Sequence, residues 1–191
     1  MPEVVFTRPD YEPVTHYLFA WSQNLVKFAK SRKWQVTDLA KSRATLTEFT
    51  AAVRNNQSEL VLLHGHGNYS VITCQDEKIL IQAGVNENLL KGTDTYAFSC
   101  QTGKELGPAA VKKGAKSYIG YKEDFVYYQT EGKEKNPLSE NDELYGMYIK
   151  IKDKIIRGKM RGVKVYKYII KEVLYINKVK GITEKVDFNT H

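Results

Sequence analysis

The sequence predicts an α/β domain built on a mostly parallel central sheet with helices on both faces. Three observations carry that expectation. Short apolar runs at residues 4–7, 60–63, 95–100 and 117–121 read as buried strands, two of them spilling into glycine-containing loops. Between them lie stretches with helical spacing of apolar residues, at 14–30 and from Thr45 onward. Strand and helix patterns alternate over the first 120 residues, the order expected of parallel strands joined by helical crossovers.

In chain order, Val4-Val5-Phe6-Thr7 forms the first strand, stopped by Arg8-Pro9-Asp10 and a loop to Pro13. The helix over 14–30 places Tyr17, Leu18, Trp21, Leu25, Phe28 and Ala29 on one face, with His16 near its start as a surface or capping residue. Residues 34–39 alternate weakly and read as the second strand. Thr45 with Glu48 three positions on has the form of a capping box, opening a helix whose inner face carries Leu46, Phe49 and Val53, with Ala52 beside them. The third strand, 60–63, runs into His64-Gly65-His66-Gly67-Asn68.

Residues 69–74 and 79–81 have the form of a hairpin with Cys74 packed in it, and residues 86–90 form a helical turn. The fourth strand ends at Cys100, before Gln101-Thr102-Gly103, and a helix over 103–113 is closed by Gly114. The fifth strand is 117–121. From Lys122 to Glu143 the composition turns polar, with Gly132 and Pro137, as in a long loop. Ser139 then caps an apolar series at Leu144, Met147, Tyr148, Ile151 and Ile155. Val165, Ile169, Ile170 and Val173 suggest a last helix, with a strand at 163–165 the alternative, so residues 139–180 read as a basic helical segment.

The chain has 191 residues, 42% of them hydrophobic, which suits a single domain over residues 1–191. It has no apolar run of the roughly 20 residues that a membrane span needs and no leader-like start, so a soluble, cytoplasmic protein without a membrane partner is expected. Two cysteines, Cys74 and Cys100, make no disulfide framework, which fits a reducing compartment. The net charge of +7 is concentrated at the end: residues 150–191 carry 12 Lys/Arg against 4 Asp/Glu, the rest 17 against 18. Such a segment, with Tyr166, Tyr168 and Tyr175 among its lysines, could hold single-stranded nucleic acid; a solvated helix face with core tyrosines accounts for it as well and is favoured.

A histidine and a cysteine delivered to one edge of a parallel sheet are a candidate acid/base and nucleophile pair, because ligands meet such sheets at the carboxyl ends of their strands. The rival chemistry is a metal site on His64-Gly65-His66. A catalytic zinc wants three protein ligands, and His16 and His191 are the only other histidines, so no metal or other cofactor is expected.

Three pieces carry a resemblance: Leu63-His64-Gly65-His66-Gly67, Phe98-Ser99-Cys100-Gln101-Thr102-Gly103, and Gly114-Ala115-Lys116-Ser117-Tyr118-Ile119-Gly120. Together, over about residues 1–178, the chain resembles the caspase-like cysteine peptidases, the group of caspases, metacaspases, clostripain, gingipains and CHAT domains. The resemblance implies a caspase-like three-layer fold and an intracellular endopeptidase with His66 as the catalytic histidine and Cys100 as nucleophile. It implies Gly67 and Cys100 as oxyanion donors, a helix start after Cys100 to favour the thiolate, a protein or peptide substrate, and control by a partner or by the 122–143 loop. His64 takes a supporting, packed role and Ser99 a structural one.

The chain departs from metacaspases and clostripain in having Phe98 where they carry an acidic residue two before the cysteine. Candidates for reading a charged substrate residue are therefore Arg8, Asp10 and Asp124. The alternative reading is a catalytically inactive caspase-like interaction module or a nucleic-acid binder.

Overall fold

Val5, Phe6 and Val61 through Leu63 are at most 1% exposed. Strands apolar at every position need cover on both faces, and the chain provides it. The computed structural model describes residues 2–55, 58–122, 124 and 188–190. Its elements are β1 (Glu3–Arg8), α1 (Pro13–Ser31), β2 (Gln35–Ala40), α2 (Leu46–Asn55), β3 (Leu60–His64), β4 (Val71–Thr73), β5 (Ile79–Gln82), β6 (Asp94–Phe98), α3 (Leu106–Lys112), β7 (Ser117–Tyr121) and β8 (Phe188–Thr190). The central sheet has the order β2-β1-β3-β6-β7-β8. Its first five strands are parallel, while β8 pairs antiparallel with β7; β4 and β5 form a separate antiparallel hairpin. The expected α/β class with a mostly parallel sheet is the class observed.

The alternation of side chains along β1 shows which helix covers which face. Arg8 reaches the Phe19 carbonyl and Gln23 of α1, so the even-numbered residues of β1 face that helix. Val5, on the opposite face, joins a core with Phe49 and Ala52 of α2, Leu106 and Ala110 of α3, and Leu80 and Ile81 of the hairpin. Tyr17, Trp21 and Leu25 of α1 are 1–3% exposed, and burying a side chain of the size of Leu25 stabilises by about 1.5–3 kcal/mol.

Both helix starts differ from expectation in an instructive way. At α2 the Thr45 hydroxyl accepts the Glu48 N–H at 3.3 Å, but the Glu48 carboxylate turns to Arg43 at 3.2 Å, so only half of the capping box forms. The full box occurs at α1, where Glu12 is the N-cap, Thr15 answers it and Pro13 opens the helix.

The fourth strand and its helix are shorter than the apolar pattern suggests. β6 ends at Phe98, opposite the last residue of β3, and Gln101 takes a left-handed φ of 57°. The helix expected from Gly103 begins at Leu106 instead. Its first amides are engaged elsewhere: Gly103 donates to the Tyr121 carbonyl at 2.9 Å, and Lys104 closes a turn on Gln101 at 3.0 Å. Cys100 therefore lies in an irregular turn with the helix starting well beyond it, and the expected positive helix end at the thiol is absent. The segment 139–180 expected to be helical, and the 122–143 loop apart from Lys122 and Asp124, lie outside the described residues. Among the described residues no helix is long and apolar enough to cross a membrane.

Candidate active site

β3 and β6 are neighbours in the sheet, and their register sets His64 opposite Phe98. Both strands end at that pair, and two residues beyond it the chain reaches His66 in one case and Cys100 in the other. Both loops thus leave the same edge of the sheet side by side.

Gly67 is where they touch. A Cβ on it would run into the Ser99 hydroxyl, and would lie 2.8 Å from Thr102 Cγ2 and 2.9 Å from the Cys100 carbonyl oxygen. Only a residue without a side chain lets the two loops approach this closely. Gly65 is required for a similar reason, since a Cβ there would collide with the Thr73 carbonyl.

The hairpin holds the histidine loop from behind. Thr73 donates to the His66 carbonyl at 2.9 Å and Asn68 donates to the Val71 carbonyl at 3.0 Å. These bonds flank the bridge between Gly67 and Ile72, so the Gly67 N–H itself points away from the hairpin. The Asn68 side chain accepts the N–H groups of Ser70 and Val71, each at 3.0 Å, and fixes the turn. From the cysteine side, Glu105 and Leu106 donate to the Tyr69 carbonyl at 3.2 and 2.9 Å, tying the start of α3 to the histidine loop.

His66 is part-exposed at 37%, and its Nε2 lies 3.2 Å from Glu12 Oε1. The same carboxylate caps α1, accepting the Thr15 N–H at 2.6 Å and the Val14 N–H at 2.9 Å. Burial pushes the Glu12 carboxyl up, but the amides of Thr15 and Val14, the Thr15 hydroxyl and the His66 ring outweigh it and hold the group below its ordinary value. Glu12 is a carboxylate at neutral pH. Nothing in the apolar pattern singles it out, although Glu12-Pro13 followed by Thr15 carries the proline and capping chemistry of a helix start.

His64 is fully buried, and its Nδ1 lies 2.9 Å from the Thr7 carbonyl across the β1–β3 pair. It packs at 6.4 Å from the Phe98 ring. The two histidines therefore occupy different environments, and among the described residues no group of three or more His, Cys, Asp or Glu is placed to hold a metal ion. Cys100 is half-buried in its turn. Cys74 is 1% exposed, donates to the Lys78 carbonyl at 3.1 Å, and burial pushes its thiol up.

The expected specificity residues fare unequally. Arg8 is fully buried, bound to Asp38 at 2.9 Å and Gln23 at 2.6 Å with Phe19 under its guanidinium, and has no surface left to offer a substrate. The reason is its even-numbered position on β1, which aims it at α1. Asp10 is engaged by His16 at 3.0 Å and Lys41 at 3.2 Å. It lines, with Tyr11, Glu12, Pro13, His16 and Tyr17, an open groove of about 420 Å³ on the Glu12 side of His66. Asp124 is exposed beyond β7. Phe98 is 2% exposed and packs on Tyr121 at 5.6 Å. Ser99 is 3% exposed, and its hydroxyl, beside Gly67, has no hydrogen-bond partner among the described residues.

No protein-family model matches this chain, and none of the curated proteins matches it significantly.

Proposed function

We propose that the chain is a cysteine peptidase of the caspase-like type, with Cys100 as nucleophile, His66 as acid and base, and protein or peptide as substrate. The observation that carries this reading is the close approach of Gly67 to residues 99–102, which sets the histidine loop against the cysteine turn at one sheet edge. In the proposed reaction the Cys100 thiolate attacks the scissile carbonyl carbon and the C–N bond breaks. The His66 imidazolium gives its proton to the departing amine. Water, deprotonated by His66, then attacks the thioester, releasing the acid and restoring the thiol.

The carbonyl oxygen gathers charge in both steps, and the outward N–H of Gly67 and the N–H of Cys100 are its proposed donors. The caspase-like, three-layer assignment of the fold and a cytoplasmic setting belong to the same proposal. With Phe98 buried and Arg8 committed to the interior, Asp10, which already pairs with His16 and Lys41, and the exposed Asp124 remain of the three charged candidates for substrate selection.

The test is digestion of a diverse peptide mixture by wild type and Cys100→Ala, each with and without a chelator, read by mass spectrometry. Cuts that vanish with Cys100→Ala and survive chelation are expected. Identical cutting by both proteins, or none by either, would refute the peptidase reading, and none by either would favour an interaction module.

A further inference from the structure

The Glu12–His66 contact joins residues 54 positions apart and belongs neither to the sheet nor to the hydrophobic core. A half-buried histidine at the rim of a site has two ring nitrogens, and its chemistry depends on which one carries the proton. An ionised carboxylate can only accept a hydrogen bond. A hydrogen bond between Glu12 Oε1 and His66 Nε2 therefore puts the proton on Nε2, and leaves Nδ1 as the lone-pair atom of the neutral ring.

Glu12 is itself held in place. Its Oε2 takes the Val14 N–H and its Oε1 the Thr15 N–H, both fixed by the first turn of α1, while the Thr15 hydroxyl lies 3.2 Å from the Glu12 N–H. An N-cap needs only a short acceptor, and Ser, Thr, Asp and Asn are the usual choices. Glutamate is long for that task. Its length brings the carboxylate to His66 as well.

From this geometry we infer that Glu12 is a positioning residue: it fixes the Nε2–H tautomer and the orientation of His66, so that Nδ1 is the atom that exchanges protons with the Cys100 thiol and the leaving amine. The inference deepens the peptidase reading and rests on it for the identity of the proton's partners, but the tautomer is a property of the resting protein. The other ionisable groups around the pair are Asp10, engaged by His16 and Lys41, Tyr11, whose phenol burial pushes further up, and Glu77, whose charge reaches Tyr11. None of these replaces the Glu12 contact to His66.

The test separates the cap from the contact. Glu12→Ser keeps a capping oxygen but cannot reach His66, whereas Glu12→Gln keeps the reach and an acceptor. ¹⁵N–¹H correlation spectra of ring-labelled protein at a pH where His66 is neutral should show a single Nε2–H tautomer in wild type and in Glu12→Gln. In Glu12→Ser a mixture should appear, with the melting temperature close to wild type. Peptide cleavage by Glu12→Ser should fall on the order of 10²-fold, the size of a misdirected acid/base. An unchanged tautomer in Glu12→Ser would overturn the inference whatever the cleavage results. Cleavage insensitive to Cys100→Ala would instead overturn the peptidase reading and leave the tautomer result standing.

Discussion

Among the described residues one histidine and cysteine lie in the interior and another of each at the rim of the sheet, and the two settings have opposite character. His64 and Cys74 lie inside, at 0% and 1% exposure, each with a ring nitrogen or thiol engaged by a backbone carbonyl. His66 and Cys100 lie at the rim, part-exposed, on loops that leave adjacent strands and meet at Gly67. The residue types are the same, so the difference comes from position alone. A histidine on the last residue of a buried strand serves the sheet, and one two residues later is released to a loop that the β4–β5 hairpin and α3 hold still.

Substitutions that exchange stability for activity are the sharpest way to break this comparison. Cys100→Ala should lower peptide cleavage by about 10³-fold or more while leaving thermal stability near wild type. Cys74→Ala should keep cleavage and cost about 1 kcal/mol from the small cavity, measured by denaturant unfolding. Equal loss of cleavage from both would erase the distinction.

The histidines should divide the same way. His64→Ala removes a packed ring and leaves the Thr7 carbonyl without that partner, a loss of about 2–4 kcal/mol in urea titration. His66→Ala should stay within about 1 kcal/mol of wild type and lose cleavage on the order of 10²–10⁴-fold.

Gly67→Ala probes the contact itself. Its methyl would meet the Ser99 hydroxyl and the Cys100 carbonyl, so the loops must separate. A cost of about 1–3 kcal/mol, with loss of cleavage, is expected from forcing that contact apart. Glycine at 67 that tolerates alanine in both assays would mean that the loops are not in register as described.

The smallest effect is the pH dependence of Glu12. Its carboxyl is held below its ordinary value in the folded protein, so its contribution to stability is complete above the unfolded value of about 4.3 and is lost as pH falls through the folded value. Replacing it with glutamine should flatten the acid side of the stability curve in that window and leave the curve near neutral pH with the same slope.

The sheet is legible in the sequence because its inner strands, β1 and β3 above all, carry apolar runs that only double-sided burial explains, and because α1 shows its inner face so regularly. The meeting of the loops that carry His66 and Cys100 is legible too, since parallel neighbouring strands deliver their trailing loops to one edge, where Gly67 lies against residues 99–102. Features that the pattern does not convey depend on partners far away in the chain. The start of α3 differs from its expected place because Gly103 is bound to Tyr121, and nothing local to residues 101–105 reveals that bond. Arg8 has the look of a substrate contact because its partner, Asp38, lies 30 positions on. Glu12 escapes a local reading because its second role, beside the cap, needs His66 to be folded against it.

The most direct measurement is the rate at which iodoacetamide alkylates each cysteine of the native protein at neutral pH, mapped by mass spectrometry in wild type and His66→Ala. Cys100 should be labelled quickly in wild type and about tenfold more slowly without His66, while Cys74 should be labelled in neither until the protein is unfolded. A Cys100 rate indifferent to His66, or a Cys74 that reacts as fast as Cys100, would contradict that expectation.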